Sequence, residues 1–175
     1  MADEAVRVDG KIYLVSSCEP GDLSKAERAE CAAIIEAGGA VRRGSIAEEI
    51  EAARLISLAR LNGKIVGVGA IKRIRKPYAE KIAFRSGVSF SPETPELGYV
   101  AIDPEHQGEG LSHRLAEELV AKHSESLFAT TSSQRMIATL TGAELKQKGH
   151  QWPGQNAQLS FWWKDDRDPK DKHEQ

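Results

Sequence analysis

The sequence predicts a mixed α/β domain, and three observations carry that prediction. Two Ser-x-x-Glu capping boxes, Ser24-Lys25-Ala26-Glu27 and Ser45-Ile46-Ala47-Glu48, open helical patterns. Asn62-Gly63 separates two apolar runs, 55–61 and 65–71, which is the strongest short-range signal for a β-hairpin. The stretch from Glu96 to Leu115 reads as a strand, a proline-marked turn, a small glycine loop and an amphipathic helix. Strands and helices interleaved in this way bury their apolar faces as a sheet with helices against it.

Each element follows from local chemistry. Residues 11–15 alternate as a short strand. The helix opened by Ser24 carries Cys31, Ile34 and Ile35 and stops at Gly38-Gly39. The helix opened by Ser45 runs to about residue 54, and the Asn62-Gly63 hairpin follows. The connection over 74–95 is longer than a hairpin needs, and such a length is functional or disordered. Tyr78, Phe84 and Arg85 favour order, with a short helix over 77–85 ended by Ser86-Gly87. Leu97 to Ile102 is an apolar strand that Asp103-Pro104 terminates, because proline lacks an N–H and restricts the residue before it. Leu111, Leu115 and Leu119, widened by Ala116 and Val120, form a helical stripe. A strand over 127–131, a helix over 133–140, a strand near 144–148 and a terminal strand over 159–163 complete the domain, which spans 1–164. Residues 165–175 are charged, contain Pro169 and lack large apolar side chains, as a disordered tail does.

Composition excludes several classes. A chain of 175 residues with 40% hydrophobic content supports one core of ordinary size. Cys18 and Cys31 are too few for a disulfide framework, and neither a Cys-x-x-Cys nor a histidine pair at i, i+4 indicates a metal site. A net charge of −2 with mixed signs gives no drive toward nucleic acid. Met1-Ala2-Asp3-Glu4 has no secretory character, and the run over 65–71 is too short to span a bilayer. A cytoplasmic protein without a membrane partner is the expectation.

The glycine loop aims backbone N–H groups and a helix N-terminus at one point, which suits a pyrophosphate. Gly108 and Gly110 sit where the turn needs positive φ or close approach by a ligand. An ordinary strand-to-helix connection is the competing interpretation. Two other phosphate loops fail. No G-x-x-x-x-G-K-[ST] occurs, and a G-x-G-x-x-G would need glycine where His113 stands. Gly67 and Gly69 fail in the same way, with Lys72 at the third position.

Gln107-Gly108-Glu109-Gly110-Leu111-Ser112 resembles the Gln/Arg-x-x-Gly-x-Gly/Ala loop of the Gcn5-related N-acetyltransferase (GNAT) superfamily, with Ser112 replacing the last small residue. Val100-Ala101-Ile102-Asp103-Pro104 resembles the strand and Val-x-Pro turn before that loop, and the order of elements over roughly 11–164 is similar to the family's. The resemblance implies a mixed, mostly antiparallel sheet of six to seven strands flanked by about four helices. It implies acetyl-CoA as co-substrate and no metal. Its pantetheine arm would lie along Val100, Ala101 and Ile102, and its pyrophosphate on Gly108, Glu109, Gly110, Leu111, Ser112 and His113. The Glu109 carboxylate is expected to point to solvent while its N–H faces the ligand.

Acetyl transfer needs a neutral amine, so a base or water must take its proton. Glu96, four residues before Val100, stands where several members of the superfamily carry a catalytic glutamate and is the candidate general base. The alternatives are a solvated residue at a strand start and a water relay. The tyrosine that many relatives place on the helix after the fifth strand, to protonate the leaving thiolate, is missing from 133–143. Ser132, Ser133 and Thr139 offer only hydroxyls, Tyr99 is expected to pack against the sheet, and Tyr78 is the other phenol. The segment 74–95 is expected to wall the acceptor pocket, and Lys72, Arg73, Arg75 and Lys76 are either a solvated strand end or an anion patch. Trp162 and Trp163 should face opposite sides of a strand, and Trp152 should sit in a hairpin-like loop. His106 and His123 are expected at the surface. The acceptor expected is a small-molecule amine. A protein lysine or N-terminal amine, or a non-catalytic acyl-CoA-binding module, remains open, as does a homodimer.

Overall fold

The structure is a computed structural model that describes residues 3–39 and 46–165. Ser45, which opens the second capping box, and the expected disordered tail beyond Asp165 lie outside the described residues. The described part is a mixed α/β fold with eight strands and five helices, and the sheet is mostly antiparallel. The hydrogen-bonded order is β1-β2-β3-β4-β5-β6-β8-β7, the labels following chain order. Contacts group the chain into two compact units, Met1–Lys72 with Leu97–Leu119, and Arg73–Glu96 with Val120–Gln175.

In the first unit, β1 (Glu4–Val8) and β2 (Lys11–Cys18) form a hairpin, with Asp9 and Gly10 at φ 48° and 79°. The sequence reading began the sheet at residue 11 and missed β1, so the strand count is eight rather than six to seven. Its signal was Asp9-Gly10, the same chemistry as Asn62-Gly63. The Ser24 box forms as expected. Its hydroxyl accepts from the Glu27 N–H at 3.0 Å, the Glu27 carboxylate accepts from the Ser24 N–H, and α1 runs Lys25–Ala37. A short α2 (Ile46–Glu51) leads to β3 (Leu55–Leu61) and β4 (Lys64–Lys72), paired across Asn62-Gly63. Cys31, Ile34, Ile35, Ile46 and Ile50 bury one face of this sheet at Ile56, Leu58, Val68 and Ala70. Both cysteines are free thiols. Burial pushes Cys31 up to about 12 and raises half-buried Cys18 as well.

On the opposite face, Tyr13, Val15, Ala59 and Val66 pack against Leu111 and Leu115 of α4 (Leu111–Lys122). Gly67 and Gly69 explain themselves here. A Cβ at Gly67 would stand 2.9 Å from Ile102 and 3.1 Å from Leu115, and one at Gly69 would stand 3.2 Å from Leu119. These glycines let β5 (Glu96–Ile102) and α4 approach β4 closely.

The second unit is built on β6 (Leu127–Thr131), β7 (Lys146–Pro153) and β8 (Gln158–Lys164), with α5 (Gln134–Gly142) after β6. The connection over 74–95 contains a helix as expected, α3 (Lys76–Ser86), and Gly87 stops it in the left-handed region at φ 74°. Ile82, Phe128, Trp152 and Phe161 form the core, with Tyr78, Val88, Phe90 and Trp163 against it. Trp152 is therefore not in a loop: it lies on β7 and is buried, because Gly149 bulges the strand and prolongs the pairing to Pro153. Trp163 packs with Phe161 and Phe90, whereas neighbouring Trp162 donates to the Ser160 hydroxyl at 2.8 Å.

Candidate active site

In the first unit, β5 ends at Ile102 and is followed by Asp103, whose N–H donates to the Val66 carbonyl at 2.8 Å. The Asp103 carboxylate accepts from the Glu105 N–H and opens a single 3-10 turn, Pro104–His106. Gln107 donates its side-chain amide to the Ile102 carbonyl at 3.2 Å, closing the turn back on the strand. Gly108 and Gly110 then take φ 82° and 77°, and nothing stands within 4 Å of a Cβ built on either. Their role is thus backbone conformation on an open side of the chain. Leu111, fully buried, anchors the first turn of α4, and Ser112 and His113 are half-buried. The first N–H groups of this helix have no partner within it, and its dipole adds a partial positive charge at the loop. Such a combination suits an anion.

Val100, Ala101 and Ile102 are each half-buried on β5. Before them Tyr99 has φ 52°, a left-handed residue inside a strand. Tyr99 packs against the cluster under α1 and α2, and the Lys72 ammonium lies 4.2 Å from its ring centroid.

Glu109 departs from expectation. Its carboxylate does not point to solvent: it accepts a hydrogen bond from the Tyr13 hydroxyl and pairs with the Lys11 ammonium at 3.4 Å, with 15% of the side chain exposed. His106 also leaves the free surface, its Nδ1 lying 2.9 Å from the Tyr13 hydroxyl. The physical reason is that Tyr13, buried for its ring, needs partners for its phenol, and the loop supplies them. Burial and Glu109 raise the Tyr13 phenol to about 12, and the Tyr13 hydroxyl holds the Glu109 carboxyl below its ordinary value.

In the second unit, Glu96 opens β5 opposite Phe128 of β6, in parallel register. It is only 4% exposed, which overturns the alternative of a solvated strand start. The Tyr78 hydroxyl donates to Glu96 Oε2 at 2.6 Å. Sequence reading missed this pairing, because the partners are 18 residues apart and no local spacing links them. Burial, then the Glu96 charge and hydrogen bond, push the Tyr78 phenol well above its ordinary value, with Thr130 opposing. Tyr78 is placed by α3, which starts with Pro77 in its first turn and ends on Gly87.

Of the hydroxyls at and on α5, Ser133 accepts the Met136 N–H at 3.3 Å as the helix cap, and Thr139 is buried without a hydrogen-bond partner among the described residues. The basic residues after β4 do not act as one patch: Lys72 sits on Tyr99, and Lys76 pairs with Glu80 at 4.0 Å. Among the described residues, no group of three or more His, Cys, Asp or Glu stands close enough to hold a metal, and no helix is long and apolar enough to cross a membrane.

Comparison with known proteins gives one consistent result. The model of the acetyltransferase (GNAT) family matches residues 26–140. Among solved structures, an acetyltransferase of the GNAT family from Streptococcus agalactiae is 14% identical, with TM-score 0.65 over 88% of this chain and 96% of its own. The yncA protein of Salmonella typhimurium, solved with its cofactor acetyl-CoA, is 18% identical, with TM-score 0.63 over 88% of this chain and 95% of its own. Arabidopsis thaliana NAA60, in complex with acetyl-CoA, is 11% identical, with TM-score 0.61 over 86% and 98%. At these identities the likeness is one of fold. No curated protein matches the chain.

Proposed function

The chain belongs to the GNAT acetyltransferase family, and from that premise we propose that it transfers the acetyl group of acetyl-CoA to a primary amine of a small molecule. The observation that carries the reading is the loop in which Gly108 and Gly110, both at positive φ, open α4 directly after β5. Its amides and helix end suit a pyrophosphate, and no protein atom stands within 4 Å of a Cβ built on either glycine, so that side of the loop is open. In this reading Gly108, Glu109, Gly110, Leu111, Ser112 and His113 hold the pyrophosphate through their backbone. Val100, Ala101 and Ile102 bind the pantetheine amides as an added strand would. Bound there, acetyl-CoA supplies the acetyl group as a thioester.

Glu96 is the proposed base. A carboxylate offers about four lone-pair directions, so the hydrogen bond from Tyr78 fixes its orientation without exhausting its capacity to accept a proton. The N–C bond forms, the C–S bond breaks, the amine proton passes to Glu96 directly or through one water, and coenzyme A leaves as its thiolate. Tyr78 is a poor donor to that thiolate, because its phenol is raised well above the ordinary value. A thiol of ordinary pKa, about 8.5, leaves without an acid. Tyr78 is thus a positioning residue, and the connection carrying α3 is proposed to wall the acceptor site.

A peptide or protein amine is the second reading. Phe84, which is 85% exposed on α3 of the same connection, is the apolar side chain that a peptide would meet in this reading. Calorimetric titration with acetyl-CoA, followed by release of thiol across a panel of amines and short peptides, tests both. Turnover confined to small amines supports the first reading, and turnover confined to peptides the second. Binding without turnover on any amine would leave an acyl-CoA-binding module.

A further inference from the structure

A glutamate in the middle of an anion-binding loop is electrostatically misplaced unless its charge is used for something else. Glu109 lies between Gly108 and Gly110, where no side chain supports the backbone from the open side. Its carboxylate is turned back onto β2, where it accepts the Tyr13 hydroxyl and pairs with Lys11 at 3.4 Å. The same hydroxyl lies 2.9 Å from His106 Nδ1, and the two rings meet edge-on with centroids 5.7 Å apart. The Tyr13 ring is fully buried, in a cluster with Leu111 and Leu115 at the start of α4. One side chain of β2 therefore contacts the residue before the loop and the residue within it, and shares a core with the helix after it.

We propose that Tyr13 and Glu109 form a latch that positions the loop, holding its amides outward while Lys11 balances the charge that would otherwise oppose an anion. Tyr13 and the Glu109 carboxylate are positioning groups; neither side chain touches the ligand, which the Glu109 backbone N–H faces. The proposal rests on the reading that this loop takes the coenzyme A pyrophosphate, and it deepens that reading by assigning a function to the residue least suited to the loop.

The two alternatives for Glu109 predict opposite signs. If the carboxylate faced the ligand, Glu109→Ala would remove a repulsion and tighten binding. If it is a latch, Glu109→Ala weakens coenzyme A binding by about tenfold, the loss of one charge-assisted hydrogen bond. Glu109→Gln keeps an oxygen that accepts from Tyr13 and stays near wild-type affinity. Tyr13→Phe matches Glu109→Ala, and the double variant loses no more than either single one. Glu109 is part-exposed, so its variants fold even where Tyr13→Phe does not. The measurement is the calorimetric Kd for coenzyme A with each variant, and for wild type with inorganic pyrophosphate as competitor. Unchanged or tighter binding in Glu109→Ala overturns the latch while leaving the loop assignment standing. Additive losses in the double variant overturn it too. Failure of wild type to bind coenzyme A, or of pyrophosphate to compete, overturns the loop assignment and the latch with it.

Discussion

Glu96 and Tyr78 form an acid–phenol pair in which the geometry restrains the carboxylate more than it restrains the phenol. The hydrogen bond of 2.6 Å is short, and Glu96 has almost no exposure with which to wander. Glu96→Gln keeps the shape and the Tyr78 contact but cannot take a proton. Turnover should fall by about a hundredfold, with the Kd for acetyl-CoA unchanged, as steady-state kinetics and calorimetry will read. A variant of full activity would give the proton to water instead. A second prediction concerns acid. The Tyr13 hydroxyl, and then Lys11, hold the Glu109 carboxyl below its ordinary 4.5. A depressed carboxyl stabilises the fold above its unfolded value and loses that contribution as pH falls through the folded value. The Tm difference between wild type and Glu109→Ala should thus be full at pH 7 and shrink below pH of about 4.5. Of these residues, the position of Glu96 was legible in sequence, four residues before Val100. The turn of Glu109 toward Tyr13 was not, because residues 96 apart meet only through the sheet.

At the scale of elements, the end of α3 lies directly against β7 at Gly149. A Cβ at Gly149 would stand inside contact distance of the Ser86 carbonyl and 2.7 Å from Val88, at a residue whose φ is 70°. A backbone carbonyl cannot swing aside as a side-chain tip can. Gly149→Ala should therefore cost about 2–4 kcal/mol in urea unfolding, and a change below half a kilocalorie would show that the bulge rearranges freely. The elements that were legible share strong local chemistry: the Ser24 box, the Asn62-Gly63 turn, and the Leu111-Leu115-Leu119 stripe all appear where their patterns put them. Those that were missed lack it. β7 is exposed at every position except Trp152, so it has no apolar alternation to read, and its bulge at Gly149 breaks the period as well. β1 offers one buried residue, Val6, in five.

For the whole molecule, the family assignment followed from a motif and an order of elements, and the match over 26–140 covers the same strand–loop–helix. The acceptor was not legible, because the connection proposed to wall its site carries no motif, and Phe84 shows its exposure only once α3 is folded. Ligand binding makes one global prediction. Acetyl-CoA at about a hundred times its Kd should stabilise the native chain by about 2.7 kcal/mol, which for a chain of this size raises Tm by roughly 5–10 °C. A thermal melt with and without acetyl-CoA reads it, and an unmoved Tm would count against the family's co-substrate acting here.

The two cysteines bear on how the reaction can be followed. Burial raises the Cys31 thiol to about 12, so it presents far less thiolate at pH 8 than a free cysteine, and Cys18 is shifted in the same direction. Because the thiolate is the form that attacks disulfide dyes, both thiols should react with them more slowly in the folded chain than a free cysteine does, buried Cys31 most of all. The colour released in such an assay should then come chiefly from coenzyme A, with a control lacking amine to subtract the protein's own thiols and thioester hydrolysis.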